Sequence, residues 1–322
     1  MRNRGNRSLA PLVAALATFS VIPSTLFAHG GEHHLDLDTV AGWWTFDPLV
    51  IMALAVSGIL YAVGLRRLWR RAGRDHGIRS RQAAAFAAGW LTLFMALVSP
   101  LHRLGEILFS AHMLQHELLM LVAAPLLVLG RPIIPFLWAL PGEMRTSAGN
   151  LTKKRWFSSV WDFISAPLAV WLILAVALWV WHLPSLYQAT LRSDAIHALQ
   201  HSSFLGSALL FWWAVIHGRY GRMGYGMAVL YVFTTAVHSS ILGALLTFAP
   251  RLVYPVYSAT AAQWGLSALE DQQLAGLYMW VPSGLVFTGI GLALFASWMK
   301  ESERRARYAT RSSSVVPREG EA

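Results

Sequence analysis

The 322-residue chain contains no cysteine. That excludes a disulfide framework, a thiol relay and a thiolate metal site. Any metal would have to be held by imidazole, thioether, carboxylate or backbone oxygen, and the chain carries 12 His and 10 Met. Charge is also scarce. Asp, Glu, Lys and Arg make up 13% of residues, against roughly 25% in a soluble globular domain. With 56% hydrophobic residues and a mean hydropathy of +0.47, one or two soluble domains are excluded. The net charge of +10 does not argue for nucleic acid. The positive residues form no single patch; they sit in short connections between apolar runs, as they do in proteins whose partner is a lipid bilayer.

The chain opens with Arg2, Arg4 and Arg7, an apolar stretch over 9–27 and then Ala28, the pattern of a signal peptide or an uncleaved N-terminal anchor over 1–28. An outer His-containing segment, 29–48, follows. Seven longer apolar runs come next, at 49–65, 83–100, 112–130, 166–183, 199–217, 227–248 and 275–297. Each is close to the roughly 17–25 residues that cross a bilayer core. A lipid-exposed backbone must satisfy its own hydrogen bonds, so these runs are expected to be helices. The predicted fold class is all-α: a polytopic membrane helix bundle with seven transmembrane helices after the signal peptide or anchor. The membrane domain covers 49–299, and a basic cytoplasmic tail, 300–322, is expected to lose structure past Tyr308. In the long connection 131–165, the Pro-flanked apolar stretch 133–140 is too short to span and reads as interfacial or partly re-entrant.

The connections also predict orientation. Twenty basic residues fall in the connections after the first, third, fifth and seventh runs, and only Arg103, Arg192 and Arg251 fall in the opposite set. Basic residues favour the cytoplasmic side. The expected placement is a bacterial inner membrane, with the N-terminal segment outside and the C-terminus inside.

That topology puts nine of the 12 histidines outside or at the outer rim. His29, His33 and His34 lie in the N-terminal segment and His102 in the first outer loop. His112 and His116 open the third span, His182 ends the fourth, and His197 and His201 open the fifth. The pairs His112/His116 and His197/His201 are spaced i, i+4, so each pair shares one helix face. Met120 extends the first stripe, and Met279 lies in the outer half of the seventh span. Two such pairs at similar depth can converge on one ion, and imidazole with thioether suits copper. A rim histidine also has an ordinary use, in hydrogen bonds to headgroups or helix ends, and the methionines have one as packing. His238, near the middle of the sixth span, is a functional candidate by its cost in the bilayer, unless Ser239 and Ser240 satisfy it. Glu117 sits beside His116. Asp271 precedes the seventh span, where it can cap that helix.

The run HMLQHELLMLVAAPLLVLGRP, from His112 to Pro132, resembles the signature of the CtaG family of multi-span cytochrome c oxidase (caa-type) assembly proteins. HSSFLGSALLFWW from His201, GALLTFAP from Gly243 and DQQLAGLYMWVPSGL from Asp271 are similar to the family pattern as well. The resemblance implies a part in maturing a haem-copper oxidase, with copper supplied from the outer side and the oxidase subunits as partners. It points to His112, His116, His201, Asp271 and Met279. No enzyme activity is expected. Three other readings stay open from the residues alone: a b-type haem redox protein, a copper transporter, and an assembly scaffold without metal.

Overall fold

The computed structural model describes residues 42–217 and 224–313, and among these it contains helices and no strand. The N-terminal segment, with His29, His33 and His34, lies outside the described residues. The helices are α1 (Pro48–Ala72), α2 (Ser80–Val98), α3 (Pro100–Ile107), α4 (Phe109–Leu129), α5 (Ile133–Ala139), α6 (Gly142–Thr152), α7 (Arg155–Ile164), α8 (Pro167–Trp181), α9 (Pro184–Thr190), α10 (Asp194–His217), α11 (Tyr225–Thr247) and α12 (Ala268–Ser313).

Six of these, α1, α2, α4, α10, α11 and α12, are long and apolar enough to cross a membrane. α7 and α8 meet at a 58° bend and make a seventh span if taken together. The chain is a multi-pass membrane helix bundle. The fourth expected span is the short one: α8 has 15 residues, about 22 Å of rise, and borrows its remaining length from the bent α7. The last helix departs from expectation at its far end. It continues through the charged residues after Lys300 and is still helical at Ser313, beyond the point where order was expected to end.

Helix boundaries follow local chemistry. The Asp47 carboxylate accepts hydrogen bonds from the Leu49 and Val50 amides at 2.7 and 3.1 Å, with Pro48 at the first helical position of α1. Ser99 and Pro100 end α2 and start α3 in the same way. What reads in sequence as an outer loop is therefore mostly the helix α3, and α4 begins at Phe109 rather than near 112.

α4 changes pitch midway. Residues Leu118–Ala123 form a π-turn, with the Ala124 amide reaching back to the Leu119 carbonyl. The next bond in that register would run from residue 125 to Met120, but Pro125 has no N–H. The Met120 carbonyl is left free and accepts the Trp212 indole N–H from α10 at 2.8 Å. The expected proline effect in this span is thus a pitch change that a neighbouring helix satisfies.

Small residues set the closest approaches. A Cβ on Gly64 of α1 would stand 1.7 Å from the Pro135 carbonyl oxygen of α5. On α12, a Cβ on Gly276 would stand 2.5 Å from the Thr247 amide of α11. Such backbone contact is the usual route to helix association in lipid. α5, the short Pro-flanked stretch, is pinned on α1, where Arg67 donates to the Ala139 carbonyl at 2.5 Å. Tyr61 stacks on Phe86 at 3.6 Å and donates to the Gly130 carbonyl at 2.9 Å. Gly64→Ala is expected to destabilise the domain by about 1–3 kcal/mol through overpacking. Gly284→Ala, which meets nothing within 4 Å, should change it by no more than about 0.5 kcal/mol. Thermal unfolding in detergent compares the two.

Candidate metal centre

The site is built on α4 and α10. One turn along each helix face, α4 presents His112 and His116, and α10 presents His197 and His201. His112, His116 and His201 each offer one ring nitrogen to a group whose members all lie within 4.8 Å of one another. The ring centroids are 4.3 Å apart for His112 and His116, 5.1 Å for His116 and His201, and 6.0 Å for His112 and His201. His197 adjoins the group, 4.3 Å from His201 and stacked on His112 at 5.3 Å.

These rings are buried or half-buried, and several of their nitrogens lack partners. Both nitrogens of His112 and of His116 are out of solvent without a hydrogen bond, as are the Nε2 atoms of His182, His197 and His201. A buried polar group left unsatisfied costs about 1–3 kcal/mol, and native structures rarely leave several in one place. Bare imidazoles converging in this way are a donor set for a cation that prefers nitrogen.

Two glutamines belong to the same constellation. The pentapeptide His-x-Leu-Gln-His occurs twice, at 112–116 and 197–201, and Gln115 and Gln200 are both completely buried. Gln115 donates to the Ala96 carbonyl at 2.6 Å and to His102 Nδ1 at 3.1 Å. Gln200 lies beside His112, and neither of its amide atoms makes a hydrogen bond of ordinary geometry. The repeated pentapeptide is the signal in the sequence that would have drawn attention to both.

His102 was placed in a loop by sequence and left out of the site. It stands on α3, stacked on His197 at 5.5 Å with 11° between ring planes. Burial holds its imidazole below the ordinary range, and Glu106 pulls the other way. Because Gln115 donates to its Nδ1, the proton of the neutral ring is on Nε2, 4.0 Å from the Glu106 carboxylate. In this tautomer His102 has no free lone pair for a metal, so it braces His197.

Asp271 acts across the bundle. Its side chain, completely buried, accepts the Phe109 amide at 2.7 Å, the Ser110 amide at 3.1 Å and the Ser110 hydroxyl at 2.5 Å. The expected cap on its own helix is a Ser267–Glu270 capping box instead. Asp271 caps α4, the helix that carries His112 and His116.

A family model described as cytochrome c oxidase caa3 assembly factor (Caa3_CtaG) matches residues 59–301. The chain belongs to this family. It is similar to an uncharacterized protein of Mycobacterium leprae (strain TN), 27% identical over 274 residues, which are 82% of this chain and 40% of the relative. A Mycobacterium tuberculosis (strain CDC 1551 / Oshkosh) protein, also uncharacterized, is 29% identical over 274 residues with the same coverage. The chain thus spans about two fifths of the length of these curated relatives. No solved structure matches it.

The remaining sequence candidates fall as follows. Met279 is buried with Phe109, Met113 and Phe204 in the apolar layer that adjoins the imidazoles, and Met120 packs against that layer. Phe204 itself touches His116 at 4.6 Å. The π-turn ends the α-helical spacing that put Met120 on the His112/His116 stripe. Glu117 does not join the three-histidine group, and its Oε2 is buried without a partner. His238 lies apart, with its ring edge-on to Trp171 at 5.2 Å. Neither Ser239 nor Ser240 satisfies it, since both His238 ring nitrogens are buried without a hydrogen-bond partner.

Asp271→Ala is expected to leave two α4 amides unsatisfied and to destabilise the protein by about 1–3 kcal/mol. Asp271→Asn, which keeps an acceptor oxygen, should cost less. Chemical or thermal unfolding of both variants in detergent measures the difference.

Proposed function

We propose that this assembly factor takes up copper at His112, His116 and His201 and aids its delivery to the cytochrome c oxidase it helps to mature. The observation that carries the reading is the meeting of three buried, unpartnered imidazoles from two helices. Copper is favoured by the donor set: nitrogen without thiolate, and thioethers in the adjoining layer. His197 adjoins the three ligands, and Met120 and Met279 are softer donors that would suit Cu(I). The ion is cargo in this role, and no covalent bond is made or broken.

The excess of basic residues in one set of connections favours an outer position for the histidine end in a bacterial inner membrane, the side on which the oxidase subunits that receive the metal would dock. A haem is disfavoured as the occupant. Its macrocycle would have to pass between rings that are already edge-to-face at 5.1 Å, with His112 and Phe204 packed against them. A transmembrane copper path is not supported by the one central candidate, His238, which lies apart from the group.

Purified protein loaded anaerobically with Cu(I) in mild detergent should retain about one ion per chain. The triple variant His112→Ala, His116→Ala, His201→Ala should retain none at that position. Equal retention by the two proteins would remove copper from the mechanism of the membrane domain and leave a metal-free scaffold.

A further inference from the structure

Of the four histidines in the two repeated pentapeptides, His197 is the one outside the three-histidine group. Its ring nevertheless touches that group. It stands 4.3 Å from the His201 ring, the same centroid spacing that separates His112 from His116. It is also stacked on His112 at 5.3 Å and on His102 at 5.5 Å, at 18° and 11° between ring planes.

Those angles decide what His197 can do. The lone pair of an imidazole lies in the ring plane. Two stacked, nearly parallel rings send theirs side by side, so His197 and His112 do not aim at one ion. His197 and His201 are tilted by 58°, and in-plane lone pairs of tilted rings can converge. Each of these two also has a buried Nε2 without a partner. An ion on His201 therefore has two neighbouring positions, one against His112 and His116 and one against His197.

The two positions differ in depth. His197 is one turn nearer the start of α10 than His201 and is half-buried, whereas His112 and His116 are 0% and 4% exposed. His102 follows His197 in the series, with its side chain 22% exposed. Its tautomer leaves it no lone pair, so the donors end at His197.

We infer that His197 is the transfer ligand of the site. The ion passes between the buried group and an acceptor through an intermediate held by His201 and His197. The Cu–N bonds to His112 and His116 break, one to His197 forms, and the oxidation state does not change. A receiving protein then has to present its donors only at the start of α10, without reaching the buried group. This inference rests on the copper reading above.

The test loads wild type, His197→Ala and His197→Phe with Cu(I) in mild detergent. It measures copper per chain, and then the rate at which a chromogenic Cu(I) chelator removes the ion. Both variants should retain the wild-type amount, about one ion per chain, and should release it more slowly by about tenfold or more. Phe keeps an aromatic ring in the stack without a nitrogen, whereas Ala leaves an opening. A ring that merely closed the site would give the opposite sign with Ala, which would speed release. Release from either variant at or above the wild-type rate would overturn the transfer role. So would loss of the ion from both variants, which would make His197 a resident ligand. Copper absent from the wild type itself would remove the copper reading, and this inference with it.

Discussion

The Asp271 side chain holds the last helix of the bundle against the first turn of the helix that bears His112 and His116. Its oxygens take two backbone amides and a hydroxyl from α4 with no solvent access. The start of a helix presents amides without partners and a partial positive charge, so a buried carboxylate there meets both needs at once. Within a bilayer the requirement is stricter, because water cannot substitute. The depth and rotation of α4, and hence the positions of its two histidines, follow from this contact.

The same economy of polar groups governs the rest of α4. Pro125 cannot donate, the π-turn redirects the carbonyl that would have been its partner, and Trp212 of α10 satisfies that carbonyl. α4 is thereby joined to α12 at its start and to α10 at its middle. Those two ties register the His112/His116 face against the His201 face. Against this background of satisfied groups, the bare nitrogens of the imidazole cluster stand out. Among the described residues, the chain accepts such a desolvation cost at comparable density only in the imidazole cluster.

On the proposed copper reading, the site also has to let its ion go. Neutral nitrogen donors in a cysteine-free chain hold copper less deeply than thiolates would, which suits transfer. Several nearby polar groups are committed elsewhere: Gln115 and Glu106 engage His102, and Asp271 holds α4. The cluster is therefore a group of imidazoles whose own nitrogens are largely left without hydrogen-bond partners.

The sequence by itself determined the membrane class, the approximate place of the spans, and the two histidine pairs on shared helix faces. Hydropathy and helical spacing are local properties, and they add along the chain without reference to partners. The double His-x-Leu-Gln-His was equally legible, though only its histidines attract notice without a structure. Tertiary structure alone decided that His116 meets His201, that His102 reaches the cluster from a short helix, that Asp271 caps a helix 161 residues away at Ser110, and that Met120 leaves the histidine stripe. Each of these depends on how two or three helices are rotated and shifted against one another. That register is set by close glycine contacts and buried hydrogen bonds between segments far apart in sequence, which no pattern within a single segment encodes.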